Sequence, residues 1–329
     1  MIRFKEQLFE KLVKATQEEL LHEILISELV SRGMDNYIHT NDYLYVKGDI
    51  PVLLVAHLDT VHRETVKTIV KKNGTWSSPQ GIGGDDRCGV YMILELLENL
   101  PKKPYVLFST DEEIGCIGTG KFLKQHSTNK HGIKFMIEFD RKGRDECIFY
   151  ECNNKSFQEF IMENTNYNFN TGSFTDICEI MEVWDIAGVN LSCGYYNAHT
   201  LSEYVVINEM MNTIRVVYSF LEKLDTDKIE MFGAELYQYS YNNRGWYDHD
   251  YDLPSTMDMS RLEIEEILED YYYMTVDGCD YYLCECGEVV DKENFIHNEF
   301  MCCICYDRYF EDEEYTIFLH NDENKSNMY

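Results

Sequence analysis

Ten residues restrict the fold of this chain more than any others: LLVAHLDTVH, residues 53–62. An unbroken apolar run, Leu53-Leu54-Val55-Ala56, stops at His57-Leu58-Asp59. A short apolar run bounded by polar residues reads as a strand buried on both faces, which is the habit of a parallel sheet covered by helices. Open α/β sheets place their sites beyond the carboxyl ends of such strands. Alternation along the strand points His57 and Asp59 the same way, an arrangement that suits a metal-ligating imidazole whose second nitrogen is held by a carboxylate. A single His-x-Asp is common, and alone it reads as a buried histidine satisfied by a nearby acid. The residues that follow change that reading.

Residues 4–32 carry Leu8, Leu12, Val13, Leu20, Leu21, Ile24, Leu25 and Leu29 at helical spacing, with Gly33 as a stop. Short extended pieces are expected around Tyr37-Ile38 and Tyr43 to Tyr45, and residues 62–80 read as a polar excursion. GIGGDDRCGVYMILELL then places three glycines, Gly81, Gly83 and Gly84, before Asp85 at the mouth of a helix. Pro104 opens the strand YVLFST, which runs into Asp111-Glu112-Glu113. Three consecutive acids at the end of a buried strand repel one another unless a cation holds them. KFMIEFD is a further strand, ending at Asp140. Helices are expected over 155–165 and 176–183, a last core strand over 185–191, and His199 in a loop before a helix reaching about residue 224.

His57, Asp85, Glu112-Glu113, Asp140 and His199 therefore each follow a strand or turn, and in a doubly wound sheet those ends share one rim. Two histidines and several carboxylates on one rim make a two-metal site.

In order, HLD, GGDDR, DEEIG, EFD and AHT resemble the dinuclear-zinc exopeptidases, the clan of aminopeptidases, tripeptidases and related amidohydrolases, over roughly residues 35–225. The resemblance implies a doubly wound, mostly parallel sheet with helices on both faces. It implies that His57 and Asp140 bind one zinc, that Glu113 and His199 bind the other, and that Asp85 bridges them. It makes Glu112 the general base and Asp59 the residue that orients His57. Tyr195 or Tyr196 is a candidate donor to the oxyanion. Several families of the clan insert a lid or dimerisation domain between ligands. Only 28 positions separate residues 57 and 85, and 59 separate residues 140 and 199. A compact, lidless aminopeptidase type follows.

The formal charge of −30 speaks against nucleic acid or an anionic membrane as partner. The charge is uneven: residues 231–329 hold 5 basic and 24 acidic side chains, and tyrosines and cysteines crowd there. Two domains are expected, a catalytic one over 1–230 and an acidic module over 231–329. Within the module, Cys284-x-Cys286-Gly and Cys302-x-x-Cys305 resemble a zinc ribbon, with Cys279, Cys303 and His297 as alternative ligands. RLEIEEILEDYYY reads as a helix and HNDENKSNMY as disordered. The remaining cysteines receive no role, and His62 reads as a surface residue, with a place in the pocket wall as the alternative. Twelve cysteines without a secretory segment at MIRFKEQLFEKLVK fit a reducing, cytoplasmic setting.

The function expected is an aminopeptidase that cleaves N-terminal residues from short peptides, with two divalent metals in the site: zinc, or cobalt or manganese, since all suit N/O donors. A structural zinc would serve the module. Two other readings stand beside it. One is an amidohydrolase acting on a small N-acylated compound. The other is a non-catalytic interaction protein that binds a basic partner, or a second copy, through its acidic tail.

Overall fold

The computed structural model describes residues 2–128 and 130–236 and, beyond them, the backbone of five short strands between Tyr273 and Cys302. The chain divides into two compact units, Met1–His249 and Asp250–Tyr329. In the second, strands Tyr273–Val276, Cys279–Leu283 and Val289–Asp291 form an antiparallel sheet, and Phe295–Ile296 pairs with Met301–Cys302. The side chains of Cys284, Cys286, Cys302 and Cys305 and of the alternative ligands Cys279, His297 and Cys303, the expected helix over 261–273 except Tyr273, which opens a strand, and the last ten residues lie outside the described residues.

The first unit opens with α1 (Glu6–Val13) and a helical stretch made of α2 (Gln17–Glu19), a π turn (Leu20–Ile24) and α3 (Leu25–Ser31). Thr16 and Glu19 form a reciprocal cap at its start. The strands are β1 (Tyr37–His39), β2 (Tyr43–Val46), β3 (Ile50–His57), β4 (Val70–Lys72), β5 (Thr75–Ser77), β6 (Pro104–Ser109), β7 (Phe135–Arg141), β8 (Glu146–Ile148), β9 (Asn168–Asn170), β10 (Gly188–Ser192), β11 (Tyr195–Tyr196) and β12 (Tyr204–Val206). The remaining helices are α4 (Gly84–Asn99), α5 (Ile117–His126), α6 (Lys155–Thr165), α7 (Asp176–Trp184) and α8 (Ile207–Lys223).

The central sheet has the order β1-β2-β6-β3-β7-β10-β8-β9. β6, β3, β7 and β10 run parallel, and β2 and β8 flank them antiparallel. Leu53 to Ala56 in β3 are wholly buried; Leu53, Leu54 and Val55 each contribute about 1.5–3 kcal/mol by leaving water. The chain leaves β3 through α4 for β6, then steps back over β3 through α5 to β7. Two right-handed crossovers in opposite directions put their helices on opposite faces of the sheet. Accordingly α4 packs on β3 and β7 beside α1 and α8, while α5 and α7 pack together and on β2 and β10. The mainly parallel sheet between two helical layers is the expected one, and β3 is the strand where the direction of winding reverses.

One element was not expected. The polar excursion contains the hairpin β4–β5, which joins β12 and β11 in a second, four-stranded antiparallel sheet. Residues 231–236, placed with the tail by composition, lie along the first unit: the Phe232 amide donates to the Lys134 carbonyl at 3.0 Å, and its own carbonyl accepts from the Ala187 amide at 2.8 Å.

Candidate active site

Parallel pairing aligns His57 with Ser109 and Val55 with Glu138, so the ends of β6, β3 and β7 reach one rim together. His57 is the last residue of β3, and Asp140 lies near the end of β7. Past β6, Asp111 takes a left-handed φ of 56° and turns the chain so that Glu112 and Glu113 follow at the same edge. Asp85 enters from the first turn of α4, where its backbone and that of Asp86 are non-helical. His199 arrives from the loop between β11 and β12, also with a left-handed φ, 65°.

The structure brings the five expected ligands together. Asp85 Oδ1 lies 2.9 Å from His57 Nε2, and Asp85 Oδ2 lies 3.2 Å from His199 Nε2. His199 Nε2 is also 3.2 Å from Glu113 Oε2, and His57 Nε2 is 3.5 Å from Asp140 Oδ1. One carboxylate thus faces both histidines, one through each oxygen. Donor atoms of His57, Asp85 and Glu113 lie within 4.8 Å of one another, as do those of His57, Asp86 and Asp140. Asp86 was not singled out in the sequence; it is fully buried, its Oδ1 accepts from the Gly89 amide at 2.8 Å, and its Oδ2 has no hydrogen-bond partner.

Asp59 stands behind His57. Its Oδ1 is 3.1 Å from His57 Nδ1, and its carboxylate accepts from the backbone amides of Glu112 and Glu113, both at 3.0 Å. It ties the end of β3 to the Glu112-Glu113 loop. Arg87, also buried, donates to the carbonyls of Leu58, Asp59 and Ala15 and fixes the same segment from below; burial lowers its pKa to about 10.

Asp140 has supports the sequence did not reveal. Its amide donates to Asn190 Oδ1 at 2.8 Å, and its Oδ2 accepts from the Thr175 hydroxyl at 3.0 Å. Tyr195 donates to the Asp140 carbonyl at 3.0 Å and to Oδ1 at 3.2 Å. This corrects the oxyanion-donor expectation: the Tyr195 hydroxyl is engaged with Asp140, and that of Tyr196 donates to Glu209 at 2.6 Å. His62 is a second correction. Its ring is 7% exposed rather than on the surface, and it pairs with Glu203.

Electrostatics follow from crowding acids in a dry place. Burial, and then the charge of Asp85, push Asp140 up to about 7. Burial raises the carboxyl of Glu112 well above its ordinary range, and neighbouring Asp140 and Glu113 add to it. Burial also raises Glu113, with Asp85 adding. Burial opposes charge on His57, yet its contacts with Asp140, Asp59 and Asp85 outweigh that and hold the imidazole well above normal. His199 is raised in the same way against burial, by Glu113 and Asp85. The site demands positive charge, and the two imidazoles answer part of that demand. Glu113 Oε1 is buried with no hydrogen-bond partner, as an oxygen reserved for a ligand would be. The donor set therefore fits a pair of divalent cations.

The sequence profile of the peptidase family M28 (Peptidase_M28) matches residues 44–173, which include His57, Asp85, Glu112, Glu113 and Asp140. No curated protein sequence matches the chain. Among solved structures, the fold is similar to that of aminopeptidase PepT from Bacillus cereus, with a TM-score of 0.56 and 14% identity over 68% of this chain and 99% of that one. It is also similar to a tripeptidase from Staphylococcus aureus, with a TM-score of 0.51 and 15% identity over 66% of this chain and 96% of that one. An aminopeptidase from the archaeon Desulfurococcus kamchatkensis has a TM-score of 0.51 and 14% identity over 67% and 96% of the two chains. Motifs, fold and family profile converge on one kind of protein: the chain is a hydrolytic metallopeptidase with the architecture of the dinuclear-zinc exopeptidases.

Proposed function

We propose that this protein is an aminopeptidase that removes N-terminal residues from short peptides, with Glu112 as general base. One observation carries the reading: Asp85 faces His57 with one oxygen and His199 with the other, at 2.9 and 3.2 Å. In this reading His57 and Asp140 hold one cation, Glu113 and His199 the other, and Asp85 both. Two divalent cations held there, zinc or else cobalt or manganese, would supply Lewis acidity, lowering the pKa of a water and polarising the scissile carbonyl.

The chain's own groups do the rest. Asp59 fixes the ring of His57 and, through two amides, the start of the Glu112-Glu113 loop. Thr175, Asn190 and Tyr195 fix Asp140. Glu112 takes the proton of the attacking water on its carboxylate and passes it to the leaving amine. The thiol of Cys116 lies 3.8 Å from Glu112 Oε1. The reading includes a cytoplasmic setting, supported by the six free thiols of the described residues, five of them buried. It also includes a ribbon zinc on Cys284, Cys286, Cys302 and Cys305, and an acidic module from residue 231 able to meet a basic partner or a second copy; composition and spacing support these.

The test uses the full chain loaded with zinc and a mixture of short peptides, half with free and half with acetylated N-termini, with products identified by mass. Release of single N-terminal residues from the free peptides is expected, and Glu112→Gln should lower the rate by roughly 10²–10⁴ while retaining its metals. Release of acetate from the capped peptides would move the assignment to an amidohydrolase. If the loaded protein leaves every member intact, the non-catalytic reading takes its place.

A further inference from the structure

Outside the five ligands and Asp59, one acid among the described residues is both wholly buried and wholly used. Glu203 has no exposed surface and lies four residues after His199, where the loop runs into β12. Its Oε1 accepts from the Asp85 amide at 3.0 Å. Its Oε2 accepts from the Gly83 amide at 2.9 Å and lies 2.7 Å from His62 Nε2. A buried carboxylate is costly unless each oxygen is satisfied, and here each one is. The partners sit 118 to 141 residues away in sequence. Glu203 therefore joins the loop that carries His199 to the turn that carries Asp85.

The turn is packed so tightly that it has little other freedom. A Cβ on Gly81 would come within 2.3 Å of the His62 ring, and one on Gly84 within 2.7 Å of Tyr195 Cβ and 3.1 Å of Glu203 Oε1. Gly81 and Gly83 hold left-handed φ values of 79° and 62°. Such a turn places Asp85 well only if something fixes its amides, because Asp85 itself is not in helical conformation. We infer that Glu203, seated on His62, is a positioning residue: it sets the separation of Asp85 and His199 and so the affinity of the cation they share. The inference rests on the two-metal reading above.

The experiment titrates zinc alone into the metal-free full chain, for wild type, Glu203→Gln and Glu203→Asp, and follows the melting temperature of each metal-free form. Wild type should take two cations at the rim. Glu203→Gln keeps one acceptor oxygen and sets its NH₂ against the other backbone N–H, that of Asp85 or that of Gly83, and one of the two cations should bind roughly 10–100-fold more weakly, with the other unchanged. Glu203→Asp should recover part of the loss. A merely structural role would instead lower the metal-free melting temperature and weaken both cations together. Two cations bound by Glu203→Gln as tightly as by wild type overturn the inference and leave the two-metal reading standing. Wild type taking no cation at the rim overturns both. Should Glu203→Gln not fold, His62→Gln carries the same titration: selective weakening of one cation supports the clamp, and unchanged affinity overturns it.

Discussion

The two histidines of the site are held in opposite ways. His57 ends a buried central strand, and its ring is 1% exposed. Both neighbouring strands pair along β3, β6 without a shift from Leu53 to His57, and Asp59, two residues on, holds the ring. His199 sits in a loop, 21% exposed, after two residues of a short strand in the smaller sheet. Its loop is fixed by contacts to distant positions, above all the Glu203 carboxylate, four residues on, against the Gly83 and Asp85 amides. A ligand on a strand inherits its position from the sheet. A ligand on a loop has to be placed by added contacts, and each of those contacts is a point at which the site can be loosened without unfolding the core.

Asp85 joins the two halves, so its loss should have the largest effect. Asp85→Asn is expected to release both cations on dialysis and to lower kcat/KM by about 10³-fold or more, the size that several kcal/mol of lost Lewis-acid stabilisation represents. Metal analysis per chain checks it; retention of the cation on the His57 side would show that the halves are independent. Asp59→Asn should loosen that same cation by roughly 10–100-fold, measured by competition with a zinc chelator. It should loosen the cation on the His199 side less, through the Glu113 amide alone, and equal weakening of both would erase the distinction drawn here.

Gly84→Ala tests the packing that seats the loop-held half. The added methyl would meet Tyr195 Cβ at 2.7 Å and Val205 Cγ2 at 2.8 Å. A loss of about 1–3 kcal/mol in urea denaturation is expected, as for other overpacked sites. No change would mean that the smaller sheet yields easily. The smallest effect concerns pH. Burial opposes charge on His62, but the Glu203 carboxylate outweighs it and raises the pKa of the imidazole. A raised folded-state value means stability that is fully present below the unfolded pKa of about 6.5 and is lost as pH rises through the folded value. The stability difference between metal-free wild type and His62→Gln should therefore shrink from pH 6 to pH 9. A difference that grew with pH would contradict the pairing.

How much could be read in advance follows the same division. The strand ending in His57 announces itself because a doubly covered strand must be continuously apolar. Asp140, Glu112 and Glu113 follow similar runs, and each of these segments is a strand or loop of the central sheet. The second sheet escaped notice because β4 and β5 have three residues each and only Trp76 among them is buried. Three residues are too few to show a period, although Asn73-Gly74 between Lys72 and Thr75 is a hairpin signal that could have found it. No local partner marks the Tyr195 hydroxyl, which with that of Tyr196 reads as a candidate oxyanion donor; Asp140, 55 residues earlier, occupies it. His62 reads as surface for the same reason until Glu203 is placed beside it.

By itself the sequence determined the α/β class, the catalytic rim and the order in which its acids and histidines arrive, since those depend on local apolar runs and on glycine turns. Tertiary structure decided which groups satisfy one another: Asp85 between two histidines, Asp59 on two amides, Tyr195 on Asp140, and Glu203 under the turn. The physical reason is that a buried charge must find its partner wherever the fold brings one, and the sequence distance to that partner carries no signal.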